Sequence, residues 1–143
     1  MKKFEFLEHT ADVKIRVYGE DLKELFLNAV LAMAGVQKSK VKSKKVKAAS
    51  LPAGRQGKKL KVTAVDKESL LINFLSQILA ESYINFSVYF DARILKLSET
   101  EIEAEIYGEK VESFDEEIKA VTYHNVKILK KNGIWETVVV FDI

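Results

Sequence analysis

Two acids, an imidazole and a hydroxyl fall within the five consecutive positions Glu8-His9-Thr10-Ala11-Asp12. A loop there can turn carboxylate and hydroxyl oxygens and a ring nitrogen toward one point. A further acid, Asp142, stands beside Ile143, so its carboxylate and the one ending the chain on Ile143 can lie close together. Hard divalent cations take carboxylate oxygens, and a calcium-like ion needs about six to eight oxygen ligands, with carbonyls and water making up the number. The expectation is that the two ends meet in one acidic, metal-holding corner. Spacing alone leaves a plainer alternative open, in which Asp12 ends a turn and Asp142 closes a strand. His9 could ligate a metal or relay a proton, or could simply be a hydrogen-bonded turn residue. His124, the only other histidine, reads as a core or edge residue of a strand.

Other reaction chemistries find little support. The chain has no cysteine, which removes disulfides, thiolate zinc sites and cysteine nucleophiles. No serine stands in a nucleophile-elbow context, and Gly54 and Gly57 lack the spacing and the Lys-Ser/Thr ending of a phosphate-cradling loop. Lys119 follows Asp115-Glu116-Glu117-Ile118, where it could neutralise carboxylates, meet a phosphate, or remain a solvated lysine of little energetic worth.

The net charge of +2 conceals an uneven distribution. Between Gln37 and Lys61 there are ten Lys or Arg and no Asp or Glu, leaving thirteen basic against twenty-one acidic residues elsewhere. This basic arm, with Lys40, Lys42, Lys44 and Lys45, could bind RNA phosphates through counterion release. It carries no interleaved aromatic side chain to stack bases, and a solvated edge strand, protected by its lysines, is the competing account. The segment Leu51-Pro52-Ala53-Gly54-Arg55-Gln56-Gly57 reads as a mobile loop. Met1-Lys2-Lys3 resembles the start of a signal peptide, but Glu5 and Glu8 occupy positions where an apolar run of about 7–15 residues is required. With no apolar run near the roughly 20 residues of a membrane span, the expectation is a cytoplasmic protein with no membrane association.

At 143 residues the chain fits one domain spanning 1–143, with a basic insertion around 37–61. Lys3 to Leu7 and Val13 to Tyr18 alternate as strands flanking the acidic loop. Asp21 is placed to cap a helix running to about Ala34, with Glu24 three positions on as in a capping box. Lys59 to Val65 alternates again. Asp66 can cap a second helix, in which Leu70, Leu71, Phe74, Leu75, Ile78, Leu79 and Ser82 keep helical period to about Asn85. Strands follow at Phe86 to Leu97 and Glu101 to Tyr107, then an acidic connection over Glu109 to Glu117 with room for one helical turn. The tail reads as strands at Lys119 to His124, Val126 to Leu129 and Trp135 to Ile143, with a hairpin turn at Asn132-Gly133. About seven strands, mostly antiparallel, with two helices packed on one face, make an α+β fold. Two strand-helix-strand passages suggest a duplicated unit.

With both ends in view, the sequence resembles the archease family. The resemblance rests on Phe4-Glu5-Phe6-Leu7-Glu8-His9-Thr10-Ala11-Asp12 leading to Ile15 and Tyr18-Gly19, and on Leu22-Lys23-Glu24-Leu25-Phe26 with Asn28-Ala29. It continues through Leu70-Leu71, Phe74-Leu75, Lys119-Ala120-Val121-Thr122-Tyr123-His124 and the closing Val140-Phe141-Asp142-Ile143. The family resemblance implies a small α+β protein that is not itself an enzyme and activates an RtcB-type RNA ligase. That ligase joins RNA ends, including tRNA halves, after a GTP- and metal-dependent guanylylation of its own histidine, so tRNA and GTP are met through the ligase. The resemblance further implies a divalent metal, with calcium a candidate, at Asp12, Asp142 and terminal Ile143. It makes Lys119 a functional residue and puts His9 in the same signature. The arm from Gln37 to Lys61 departs from the family pattern and looks like a local insertion. A different class, a metal-dependent hydrolase or nucleic-acid-processing enzyme, would use the same carboxylates to hold a metal that activates water. A third, a passive RNA-binding module, would act through the lysine arm.

Overall fold

Two antiparallel sheets share one buried helix in the computed structural model, which describes residues 2–7, 12–39, 57–124 and 126–143. In chain order the elements are β1 (Phe4–Leu7), β2 (Asp12–Gly19), α1 (Leu22–Gln37), β3 (Lys58–Thr63), α2 (Lys67–Asn85), β4 (Ser87–Leu97) and β5 (Glu101–Lys110). They are followed by β6 (Ala120–Thr122), β7 (Leu129–Lys131) and β8 (Ile134–Asp142). Strands β1-β2-β8-β6 lie side by side, with β7 also paired to β8, and β3-β5-β4 form a second sheet. The α+β class and the antiparallel pairing are as expected. The strands divide between two sheets, however, where a single sheet with both helices on one face was anticipated.

The reason lies in α1. Every residue from Asn28 to Gln37 is buried, and a helix apolar on all sides must be enclosed on all sides. It packs against β2 and β8 of one sheet and against β4 of the other, while α2 packs on β3, β4, β5 and β6. The rings of Phe26 on α1 and Phe74 on α2 lie 6.1 Å apart, centroid to centroid. Polar groups caught in this interior are satisfied. The Asn28 side-chain amide donates to the Tyr18 carbonyl at 2.7 Å, and the Gln37 amide donates to the Ser82 hydroxyl at 2.8 Å, which donates onward to the Leu79 carbonyl. Through Gln37 the helix continues past Ala34, where periodicity had ended it. The two strand-helix-strand passages are not equivalent: β3-α2-β4 stays within one sheet, whereas β2-α1-β3 crosses between the two.

Local signals were obeyed where they depend on near neighbours. Asp21 caps α1 by accepting from the Glu24 N–H at 2.8 Å. The Glu24 carboxylate reaches back to the Glu20 N–H rather than to Asp21 itself, so the box is displaced by one residue. Asp66 caps α2 through the Ser69 N–H at 2.7 Å. Asn132 and Gly133 both have positive φ, 52° and 80°, the backbone of a type I′ hairpin turn. Two expectations gave way to longer-range bonds. The stretch 126–128 leaves the ladder because the Ile128 N–H donates to the Glu68 carboxylate and the Lys127 carbonyl accepts from the Thr137 hydroxyl. The connection from Glu109 to Glu117 contains no helical turn. Its first two residues extend β5, and the Asp115 N–H donates to the Gln37 carbonyl at the end of α1.

The carboxyls of Asp66 and Asp115 are held below the ordinary aspartate range, the first by the Ser69 N–H and the second by the N–H and hydroxyl of Ser39. A carboxyl depressed in the folded state contributes stability that is present above its unfolded value, about 3.9, and lost as pH falls through the folded value. The thermal midpoint is therefore expected to fall as pH drops below about 4. Asp66→Asn keeps a capping oxygen but cannot titrate, so it should flatten that decline, measured by circular dichroism across pH. An equal slope in wild type and variant would remove Asp66 from the account.

Candidate functional site

Strand β2 begins at Asp12 and β8 ends at Asp142, and their register sets these two residues directly opposite one another. In the next row Val13, Phe141 and Val121 are all buried. Because side chains alternate across a sheet, Asp12 and Asp142 share the opposite, outer face. On the other side of β8, Asp142 is paired with Ala120 of β6. The N–H of Lys119 donates to the Asp142 carbonyl at 2.7 Å, so β6 clamps the end of β8 through main chain. Ile143 follows half-buried, its side chain packed against the core. The corner anticipated from the two ends of the chain thus brings together Asp12, Asp142, Lys119 and Ile143.

Directly opposed like charges destabilise a strand pair, and among the described residues neither carboxylate has a hydrogen bond or ion pair to offset this. Oxygen donors of this kind suit a hard divalent cation. Among the described residues no third His, Asp, Glu or Cys joins them, so these two carboxylates supply only part of a calcium-type shell. His9 lies outside the described residues, as do Lys40, Lys42, Lys44 and Lys45 of the basic arm. The foot of that arm is described: Lys38 donates to the Ser113 carbonyl at 2.9 Å, and Ser39 bonds Asp115.

The Lys119 ammonium is exposed and has no ion pair among the described residues, so the nearby acids do not neutralise it. His124 differs from its expected core or edge position. It lies exposed in a turn just past β6, because the Tyr123 hydroxyl is drawn to the Asn73 side chain on α2 and the chain leaves the sheet there. Sequence reasoning missed Ala120, the neighbour of Asp142 across β6. Only strand register identifies it, since nothing about an alanine marks it as facing a carboxylate.

These observations define a small α+β protein in which β2 and β8 hold a carboxylate pair at one end of a five-stranded antiparallel sheet. Residues 4–143 match the Archease protein family (MTH1598/TM1083). The chain is 37% identical to Protein archease of Methanosarcina mazei over 99% of this chain and 97% of that one. It is also 37% identical to Protein archease of Pyrococcus abyssi over the whole of both chains. The solution structure of Methanobacterium thermoautotrophicum Protein 1598 superposes with a TM-score of 0.73 at 30% identity, covering all of both chains. The crystal structure described as an archease, possible chaperone, from Thermotoga maritima shares the fold, with a TM-score of 0.57 at 21% identity over 96% of this chain and 94% of that one. The chain belongs to the archease family. No described helix is long and apolar enough to cross a membrane.

Proposed function

We propose that this protein is an accessory activator of an RtcB-type RNA ligase, promoting the GTP- and metal-dependent guanylylation that readies the ligase for repeated turnovers. The observation that carries this reading is the direct opposition of Asp12 and Asp142, two carboxylates without a partner among the described residues. Their mutual repulsion favours a cation or a cationic surface between them, and membership of the archease family supports the choice of partner. Asp12 and Asp142, with a main-chain oxygen of Ile143, are the donors that would hold a divalent ion, calcium among the candidates. When bound there, such an ion would supply positive charge to a nucleotide phosphate at the ligase's own site. Asp142 is held in register by β2 on one side and by the Lys119 N–H and Ala120 on the other. That clamp fixes where the acidic corner projects when it docks. The exposed Lys119 ammonium is the cation placed in sequence to meet a phosphate or an acidic group of the ligase. The role is one of binding and positioning, and the covalent chemistry stays with the ligase.

The test is multiple-turnover RNA ligation by the cognate ligase at limiting enzyme, with and without this protein. Added protein should raise the number of turnovers per ligase. An unchanged turnover number would overturn the proposal. Hydrolysis of RNA or nucleotide by the isolated protein would favour the metal-dependent hydrolase instead.

A further inference from the structure

The sheet that ends in the acidic corner has a second distinctive surface. Helix α1 covers the face bearing Val13, Ile15 and Val17. The opposite face carries Lys14, Arg16 and Tyr18 of β2, Glu5 of β1, and Val138 and the buried Val140 of β8, and no described helix or strand packs over it. Its charges are organised. Glu5 lies 3.1 Å from Lys2 and 3.5 Å from Arg16. Glu136 lies 3.9 Å from Arg16 and 3.1 Å from Lys131. Two carboxylates therefore tether three cations in an alternating chain. Arg16 sits at its centre, and the Tyr18 hydroxyl donates to Glu5 at 3.4 Å. Lys14 and Lys127 flank this chain, both exposed and without an ion pair among the described residues. Five cations stand against two carboxylates over this stretch, and the Asp12 and Asp142 carboxylates lie beyond Lys14 at the far end of the face.

Two recesses follow the cations. One of about 170 Å³ is lined by Arg16, Lys127 and Lys131. It shares Lys131 and Glu136 with a larger one of about 380 Å³ lined also by Lys2, Tyr18 and Asn132. The second sheet gives the contrast: Lys61 and Lys96 meet Glu101, and Arg93 meets Glu105 at 2.8 Å. Lys61, Lys96 and Arg93 are thus matched to acids across strands, the ordinary arrangement of a solvated sheet face, while Lys58 reaches Glu81 on α2.

From this charge complementarity we infer that the outer face of the five-stranded sheet is a docking track for the phosphate backbone of single-stranded RNA. It runs from the β7–β8 hairpin past Arg16 to Lys14 and stops short of the Asp12 and Asp142 carboxylates at the far end of the same face. The tethered cations Lys2, Arg16 and Lys131 are held in place before binding, which lowers the ordering cost. Lys14 and Lys127 are free to release counterions on contact with phosphate. Tyr18 adds a ring beside the recess for stacking a base. From the row of Tyr18 to that of Lys14 is about 13 Å along the strand, room for about two nucleotides. The track is separate from the lysine arm and does not depend on ligase activation.

Fluorescence anisotropy of a labelled single-stranded RNA oligonucleotide with the full-length protein, between about 50 and 200 mM salt, tests this. Wild type should bind with an affinity that falls with salt. Lys14→Gln with Lys127→Gln should weaken binding roughly tenfold and reduce the log–log salt slope by about 1.4, near 0.7 per lost phosphate contact. Both side chains are exposed, so the thermal midpoint should not move, and Lys14→Arg with Lys127→Arg should restore binding. No binding by wild type, or a glutamine double variant that binds as wild type does, overturns the inference. Labelled poly-glutamate binding as tightly as RNA with the same loss in the double variant would also overturn it, because the face would then serve an acidic protein surface. Binding is read on the protein alone, so it can fail or succeed independently of ligase activation.

Discussion

Replacing Asp142 with alanine or asparagine is expected to reduce the stimulation of multiple-turnover RNA ligation to the level of ligase alone, while leaving the protein folded. Function and stability should respond in opposite directions. Asp142 faces Asp12 across β2–β8, and a directly opposed pair of like charges destabilises the strand pair. Asp142→Asn removes one charge and conserves shape, so it should unfold at the same temperature or slightly higher. A residue whose removal relieves the fold but abolishes activity is one retained for its charge. Divalent cations supply a second readout. An ion that binds only the folded state stabilises it by about 2.7 kcal/mol at one hundred times its dissociation constant. Calcium or magnesium should therefore raise the midpoint of wild type and leave Asp142→Asn unmoved. Full stimulation by Asp142→Asn would show that the corner is not the working part.

Truncating Phe74 to alanine should produce the largest loss of stability, about 3–5 kcal/mol, out of a total that for such domains is about 5–15 kcal/mol. Phe74 is fully buried on α2, and its ring meets Phe26 of the enclosed helix α1 at 6.1 Å. The cavity left behind would open where the two helices meet, and α1 cannot relax into it without leaving β2, β8 or β4. Phe74→Leu, which retains most of the volume, should cost less than about 1.5 kcal/mol. Urea unfolding of the three proteins measures both values from their midpoints. Equal midpoints for wild type and Phe74→Ala would mean that the contact between α1 and α2 is peripheral to the core.

These two residues differ in how visible they are beforehand. Phe74 is legible from helical period alone, as are Leu70, Leu71, Leu75, Ile78 and Leu79, because burial along α2 follows a repeat within the segment. The caps at Asp21 and Asp66 and the turn at Asn132-Gly133 were legible for the same reason, each resting on groups within about four positions. Asp12 and Asp142 were nameable as candidates from residue type, and the family motifs tied them to one site. Their opposition is another matter, since it requires residues from the two ends of the chain to fall in the same row.

The helices, their caps, the hairpin turn, the alternating strands and the family signature are legible in the residue order, since local propensity and side-chain period act over a few residues. Tertiary structure decided the rest. Enclosing the all-round apolar α1 required two sheets, one on either side of it. The bonds of Ile128 to Glu68 and of Lys127 to Thr137 ended a strand that alternation alone would continue. Strand register placed Asp12, Asp142 and Ala120 in one row, and gathered Lys14, Arg16, Lys127 and Lys131 around one open face. The physical reason is that register is a long-range property, set by which side chains must share the core, whereas capping and periodicity are satisfied before the chain folds back on itself.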